Sequence, residues 1–127
     1  RKLCQTPVTG TISLSSGSGT ATLTNNGNYN AYPTFTIISS LSSSATVTLS
    51  TSSWTTALTI GTSSKTTVLN STDRTVTSNG TLLMSSIAST TTKMPVLLPG
   101  SNTVTVAFTG GSGYPAFISY SYQEAWI

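Results

Sequence analysis

The stretch VLLPGSNTVTVAF (Val96–Phe108) joins an apolar run to a strictly alternating segment through the residues Pro-Gly-Ser-Asn. The ring of Pro99 holds its φ at about −65°, and Gly100 can adopt a positive φ, so the pair favours a type II turn. After the turn, the apolar residues at every second position from Val104 to Phe108 point to one face, and the intervening Thr and Ala residues point to the other. The stretch therefore predicts a strand with one face in a core.

Similar alternation recurs along the whole chain, and this predicts an antiparallel all-β fold. Asn79-Gly80 is a strong hairpin signal between RTVT and TLLM. No segment has a convincing helical period, although TLLMSSIAS (81–89) could form one helical turn. Eight to ten short strands with turns about every 8–12 residues indicate a β-sandwich or barrel. The predicted inward positions are Ile12 and Leu14; Ala21 and Leu23; Phe35 and Ile37; Ala45, Val47 and Leu49; Leu58 and Ile60; Val68 or Leu69, with Val76; Ile118, Tyr120 and Tyr122, with Trp126 at the same parity.

Composition narrows the class of protein. The 127 residues suit one domain, and only 6% are charged, against about 25% in typical domains. Ser and Thr make up roughly two residues in five, but the regular apolar alternation favours a folded domain over a glycosylated stalk. The five basic residues form no stripe, which argues against nucleic-acid binding. No apolar run is long enough for a membrane-spanning helix. A single cysteine, Cys4, favours assembly in a reducing cytoplasm.

The reactive residues are too few for catalysis. The chain has no His, so neither a Ser-His-Asp nor a Cys-His arrangement can form. Asp73 and Glu124 are the only acids; we expect a turn and a solvated surface for them rather than a glycosidase pair. With one Cys and two separated acids, no metal site can close. We predict a non-enzyme without cofactor or metal, and we read the sequons at Asn70 and Asn79 as chance occurrences.

Aromatic residues in predicted loops are the remaining candidates for a binding site, because saccharides stack on exposed rings. Tyr32, Trp54 and Tyr114 are the predicted glycan-binding residues. Tyr29, Trp126 and Tyr120 are weaker candidates, and packing in the core or at an edge is the alternative for every ring. What discriminates a saccharide site from a purely structural role is whether Tyr32, Trp54 or Tyr114 lie exposed together on one concave sheet face.

Four stretches, taken in order, resemble the C-terminal domain of siphophage distal tail and minor tail proteins. They are ATLTNNGNYNAYPTFTI (21–37), STDRTVTSNG (71–80), MPVLLPGSNTVTVAF (94–108) and ISYSYQEAWI (118–127). The chain departs from the usual pattern before Arg74, lacks a basic residue in the closing strand and lacks the ring-forming N-terminal domain. The resemblance implies a galectin-like jelly-roll sandwich over residues 19–127, preceded by a lead-in or linker and a first edge strand over 1–18, as the C-terminal part of a longer tail protein.

The resemblance also implies a function. We expect a structural component of the virion tail tip, assembled in the host cytoplasm, with other tail proteins and a homo-oligomeric ring as partners. Turns at Asn79-Gly80 and Pro99-Gly100 would be structural, and Asn102 would hold the second turn through side-chain-to-backbone bonds. The alternative is a module that binds host-surface saccharides. A bacterial adhesin domain would require a signal peptide or sorting sequence, and neither is visible in this chain.

Overall fold

The structure is a computed structural model that describes residues 2–3, 8–15, 17–27, 30–71, 75–79, 81–82, 95–111, 113–115, 117–123 and 125–126. These residues form twelve β-strands and no helix. The strands are β1 (Lys2–Leu3), β2 (Val8–Ser13), β3 (Ser18–Asn25), β4 (Thr34–Leu41), β5 (Ala45–Ser50), β6 (Thr55–Ile60), β7 (Ser63–Asn70), β8 (Thr75–Ser78), β9 (Thr81–Leu82), β10 (Gly100–Thr109), β11 (Phe117–Tyr122) and β12 (Ala125–Trp126). Most of the segment in which we predicted a helical turn lies outside the described residues.

Two antiparallel sheets form a sandwich, which confirms the predicted fold class. One sheet has the order β3-β10-β5-β6, and the other has the order β2-β11-β4-β7-β8-β9. The strands β1 and β12 form a separate two-stranded pair. Each sheet turns its apolar face toward a shared core, and that core contains side chains from both. β2 lies at an edge of the six-stranded sheet with Ile12 fully buried, so strand structure already begins at Val8 in the predicted lead-in.

The core is built from the alternating positions. Along β10, Val104, Val106 and Phe108 are buried while Thr103 and Thr105 are exposed, as the sequence predicts. In β7 the inward residue is Leu69, which is fully buried, and Val68 is half-buried on the other face. The three predicted inward residues of β11, from Ile118 to Tyr122, all belong to the core or pack against it.

The hairpin at Asn79 joins β8 to β9, with Ser78 paired to Thr81. Asn79 has a φ of 51°, a conformation that Asn tolerates better than most residues. Its side chain also secures the neighbouring strand β7, because Oδ1 accepts from the Thr66 N–H at 2.8 Å and Nδ2 donates to the Ser64 carbonyl at 3.3 Å. Gly80, the second residue of the predicted turn, lies outside the described residues.

Candidate functional site

Loops at one end of the four-stranded sheet surround a short crossing segment, Val96–Leu98. β3 ends opposite the start of β10, where Asn25 pairs with Gly100, and the β5–β6 loop lies at the same end. The segment reaches this end immediately before β10. At its centre, Leu97 and Ala31 exchange two backbone hydrogen bonds of 2.7 and 2.9 Å. The segment therefore links the loop before β4 to the start of β10.

Two side chains from distant parts of the sequence bond the main chain of this segment. The Trp54 indole Nε1–H donates to the Val96 carbonyl at 2.7 Å, and Asn25 Nδ2 donates to the Leu97 carbonyl at 3.1 Å. Trp54 is 2% exposed and Asn25 is 1% exposed, so both bonds are shielded from water. A buried carbonyl without a partner would be costly, and these donors remove that cost.

Asn102 completes the arrangement from the start of β10. Its Oδ1 accepts from the Leu98 N–H at 3.0 Å, while its Nδ2 donates to the Leu98 carbonyl at 2.8 Å and the Gly100 carbonyl at 3.1 Å. A further contact of 3.3 Å reaches the Leu23 carbonyl on β3. Gly100 has a φ of 101°, the positive value that a type II turn after Pro99 requires. We call the side chains of Asn25, Trp54 and Asn102, together with the bonds they make to residues 96–98, the loop clasp.

A surface pocket of about 390 Å³ lies beside the clasp, between the β5–β6 loop and the start of β10. Its lining carries no charged side chain and consists of Thr51, Ser52, Ser53, Leu98, Pro99, Ser101, Asn102 and Thr103. The β5–β6 wall is fixed, since the Thr51 N–H donates to the Trp54 carbonyl at 3.0 Å and the Thr51 hydroxyl accepts from the Ser53 N–H at 3.1 Å. The pocket is therefore a pre-formed, uncharged, hydroxyl-rich recess.

The three predicted glycan-binding rings do not share one exposed face, because Trp54 is buried, so the prediction of Trp54 as an exposed binding ring is wrong. Trp54 packs against Phe35 with 6.5 Å between the ring centroids, and it donates its indole N–H to the Val96 carbonyl. Tyr114 packs against Phe108 in a tilted arrangement near the far end of β10, with 5.2 Å between the ring centroids. Its hydroxyl donates to the carbonyls of Gly110 and Gly111. Tyr32 is half-buried against the core, so Tyr32 and Tyr114 stay predictions as separate candidates.

Chemically, the polar groups around the pocket are hydroxyls, the Asn102 amide and main-chain groups. The described residues contain no group of three or more His, Cys, Asp or Glu residues that could hold a metal ion. They also contain no helix with the length and apolar character needed to cross a membrane. Cys4, Asp73, Glu124 and Tyr29 lie outside the described residues, as does the side chain of Trp126.

The family model for the C-terminal domain of the siphovirus-type tail component matches residues 26–126. The chain belongs to this family. A search of curated proteins finds no match. As a siphovirus-type tail component, the chain is a structural constituent of the virion tail. The family therefore confirms the resemblance found in the four sequence stretches, and it agrees with the predicted location in the virion.

A solved structure shares the fold of this tail-component domain. The crystal structure of SPP1 Dit (gp 19.1), a protein described as a paradigm of hub adsorption apparatus in Gram-positive infecting phages, superposes on this domain with a TM-score of 0.66. The match covers 94% of this chain and 46% of the Dit chain, at 17% sequence identity. At that identity the similarity establishes the fold. The tail-component domain thus spans less than half the length of the Dit protein.

Sequence reasoning missed two features of this end of the domain. The first is the role of Asn25, although the Asn-Asn-Gly sequence does predict its local bond, in which Oδ1 accepts from the Gly27 N–H at 3.0 Å. The second is the inward orientation of Trp54 in the stretch SSWTT. No local signal would have revealed that Asn25 and Trp54 hold the same short segment.

Proposed function

We propose that this domain is a non-catalytic building element of the phage tail tip or baseplate, held in place by other tail proteins and by further copies of its own chain in a ring. The observation that carries the proposal is the shared fold over 94% of the chain with a protein of the hub adsorption apparatus. By analogy with that protein, the domain would sit at the hub from which the adsorption apparatus is built.

The architecture supports a structural role. The bonds of the loop clasp are shielded from water. With the Ala31–Leu97 pairing, they tie the end of β3, the loop before β4 and the β5–β6 loop to residues 96–98, so this end of the sandwich presents a rigid surface. Rigid surfaces bind partners with a small loss of conformational entropy. The low content of charged residues, 6%, suits packing against neighbouring subunits, because few charges have to be desolvated. A lack of catalysis agrees with the absence of His from the sequence.

The location can be tested on virions of the phage that encodes this chain. An antibody raised against the purified domain, detected with gold particles by electron microscopy, should label the tail tip. Label along the tail tube or on the head would contradict the proposal. For the ring, native mass spectrometry of the full-length tail protein should show one closed oligomer, whereas a monomer at all concentrations would contradict that part.

Host attachment is a separate question that one binding assay can decide. A fluorescent fusion of the domain would be applied to host cells, with Tyr32→Ala and Tyr114→Ala as matched variants at opposite ends of the sandwich. Loss of binding in one variant alone would support a saccharide site at that ring. Equal binding by both variants and the wild type would exclude both rings as binding residues. If the wild type does not bind host cells, only the structural role in the tail remains.

A further inference from the structure

The strand β10 has an edge that is only partly paired. It pairs with β3 from Gly100 to Ala107, but with β5 only from Thr105 to Thr109. Over residues 100–104, β10 therefore has a neighbouring strand on one side alone. Among the described residues, none pairs with the other side of this stretch. The unpaired side faces the β5–β6 loop, across the uncharged pocket described above.

The direction of the main-chain groups follows from the pairing. The Phe108 N–H donates to the Gly17 carbonyl at 2.8 Å, so the even-numbered residues of β10 direct their N–H and C=O groups toward β3. In an antiparallel strand these groups alternate between the two edges. Ser101 and Thr103 therefore direct their N–H and C=O groups toward the unpaired side, and both residues line the pocket. We call these groups the open edge.

We propose that the open edge binds an extended, uncharged segment of another polypeptide, which adds to β10 as a short strand. Donors and acceptors from residues two apart repeat at about 7 Å, which is the spacing of a second strand. Main-chain pairing of this kind supplies affinity in β-augmentation, and neighbouring pockets supply selectivity. The inference concerns this surface alone and does not depend on the role proposed above.

The pocket walls define the chemistry of the segment. No charged side chain lines the pocket, so a charged residue of the partner would be buried without compensation. Leu98 is 39% exposed at the rim and offers one apolar contact, while hydroxyls line the opposite wall. The half-paired stretch of β10, residues 100–104, is short and lies behind the β5–β6 loop. This position protects it against uncontrolled pairing with other sheet edges.

A pair of variants at Thr103 tests the proposal. Thr103→Pro removes an N–H of the open edge and leaves the bonds to β3 in place, because residue 103 does not bond to β3. Thr103→Val keeps the N–H and serves as the matched control. An array of short, capped, uncharged peptides rich in Ser, Thr and Val would be probed with the 127-residue chain. We expect peptides that bind the wild type and Thr103→Val but bind Thr103→Pro about tenfold or more weakly.

A measurement on the wild type covers the case in which Thr103→Pro fails to fold. Bound peptide should slow amide hydrogen exchange at Ser101 and Thr103, and leave Thr105, which already lies opposite Ser50 of β5, unchanged. Equal binding by Thr103→Pro, or no peptide binding up to about 1 mM, would overturn the proposal. So would selective binding to a saccharide array, or self-association through Thr103, which would assign the open edge to a second copy.

Discussion

Removing the amide of Asn102 should destabilise the domain far more than truncating the side chain of its exposed neighbour Ser101. Nδ2 carries two hydrogens, so of its three carbonyl contacts about two can be well made at once, and the bond to Oδ1 adds a third. At about 1 kcal/mol for each bond, Asn102→Ala should cost about 3 kcal/mol. Asn102 is 8% exposed, so water can replace part of this loss, and we expect about 2–3 kcal/mol.

Asn102→Asp tests the donor role of the side chain by itself, because it removes the Nδ2 hydrogens and keeps an acceptor oxygen. The new carboxylate keeps an acceptor for the Leu98 N–H but directs negative charge at the carbonyls of Leu98 and Gly100. Burial and these carbonyls raise the pKa of the introduced carboxyl above its ordinary value of about 3.9. The pKa of this carboxyl is higher in the folded state than in the unfolded state. The variant should therefore regain stability below about pH 4, where the carboxyl is protonated in both states, and lose it as the pH rises through the folded-state pKa. At neutral pH this variant should be less stable than Asn102→Ala.

Urea unfolding followed by tryptophan fluorescence measures these changes, since the buried Trp54 enters water on unfolding. Ser101→Ala is the matched control at an exposed neighbour, with an expected change within about 0.5 kcal/mol. Each variant is compared with the wild type at the same pH, so the native carboxyl groups cancel. A loss below about 0.5 kcal/mol for Asn102→Ala would refute the role given to the amide. Equal losses for Asn102→Asp at acid and neutral pH would refute the donor explanation.

Three other positions give predictions of their own. Gly10→Ala would place its Cβ against the hydroxyl oxygen and ring of Tyr120, so we expect a loss of about 1–3 kcal/mol in urea unfolding; the same loss in a Tyr120→Ala background would contradict this cause. Gly100→Ala meets no atom within 4 Å but must hold a φ of 101°, so it should lose about 1–2 kcal/mol in thermal unfolding, and an unchanged melting temperature would argue against the turn. Trp54→Phe leaves the Val96 carbonyl without its donor and opens space in the core; a loss of about 2–4 kcal/mol by urea unfolding followed by circular dichroism is expected, and less than about 1 kcal/mol would contradict it.

Period-two alternation was enough to predict the strands wherever apolar and hydroxyl residues strictly alternate. It was ambiguous where two apolar residues are adjacent, as at Val68 and Leu69, because only the partner strand decides which one faces the core. It also missed the start of β2, since Gly10 weakens the local strand signal. The structure explains this glycine, because the ring of Tyr120 from the adjacent strand lies over it and fills the space of a side chain.

The site was predictable only where its bonds are local. Three of the four polar contacts of the Asn102 side chain join residues at most four apart, which is the range over which Asn is known to shape turns. The bonds of Trp54 and Asn25 join residues 42 and 72 apart, and the sequence near either residue contains no trace of the partner. A Trp between Ser and Thr residues suits an exposed loop equally well, and the decisive factor is a distant carbonyl.

This distribution of bonds bears on where a partner can bind. At this end of the sandwich, the side chains that a search by residue type favours, Trp54, Asn25 and Asn102, already bond the protein's own main chain. The groups that remain toward the pocket are hydroxyls and the main-chain groups of Ser101 and Thr103. Main-chain groups are the same in every residue type except proline, so a site built from them leaves no motif in the sequence. Such a site can be found only from the extent of strand pairing, which here ends on one side of β10 at Thr105.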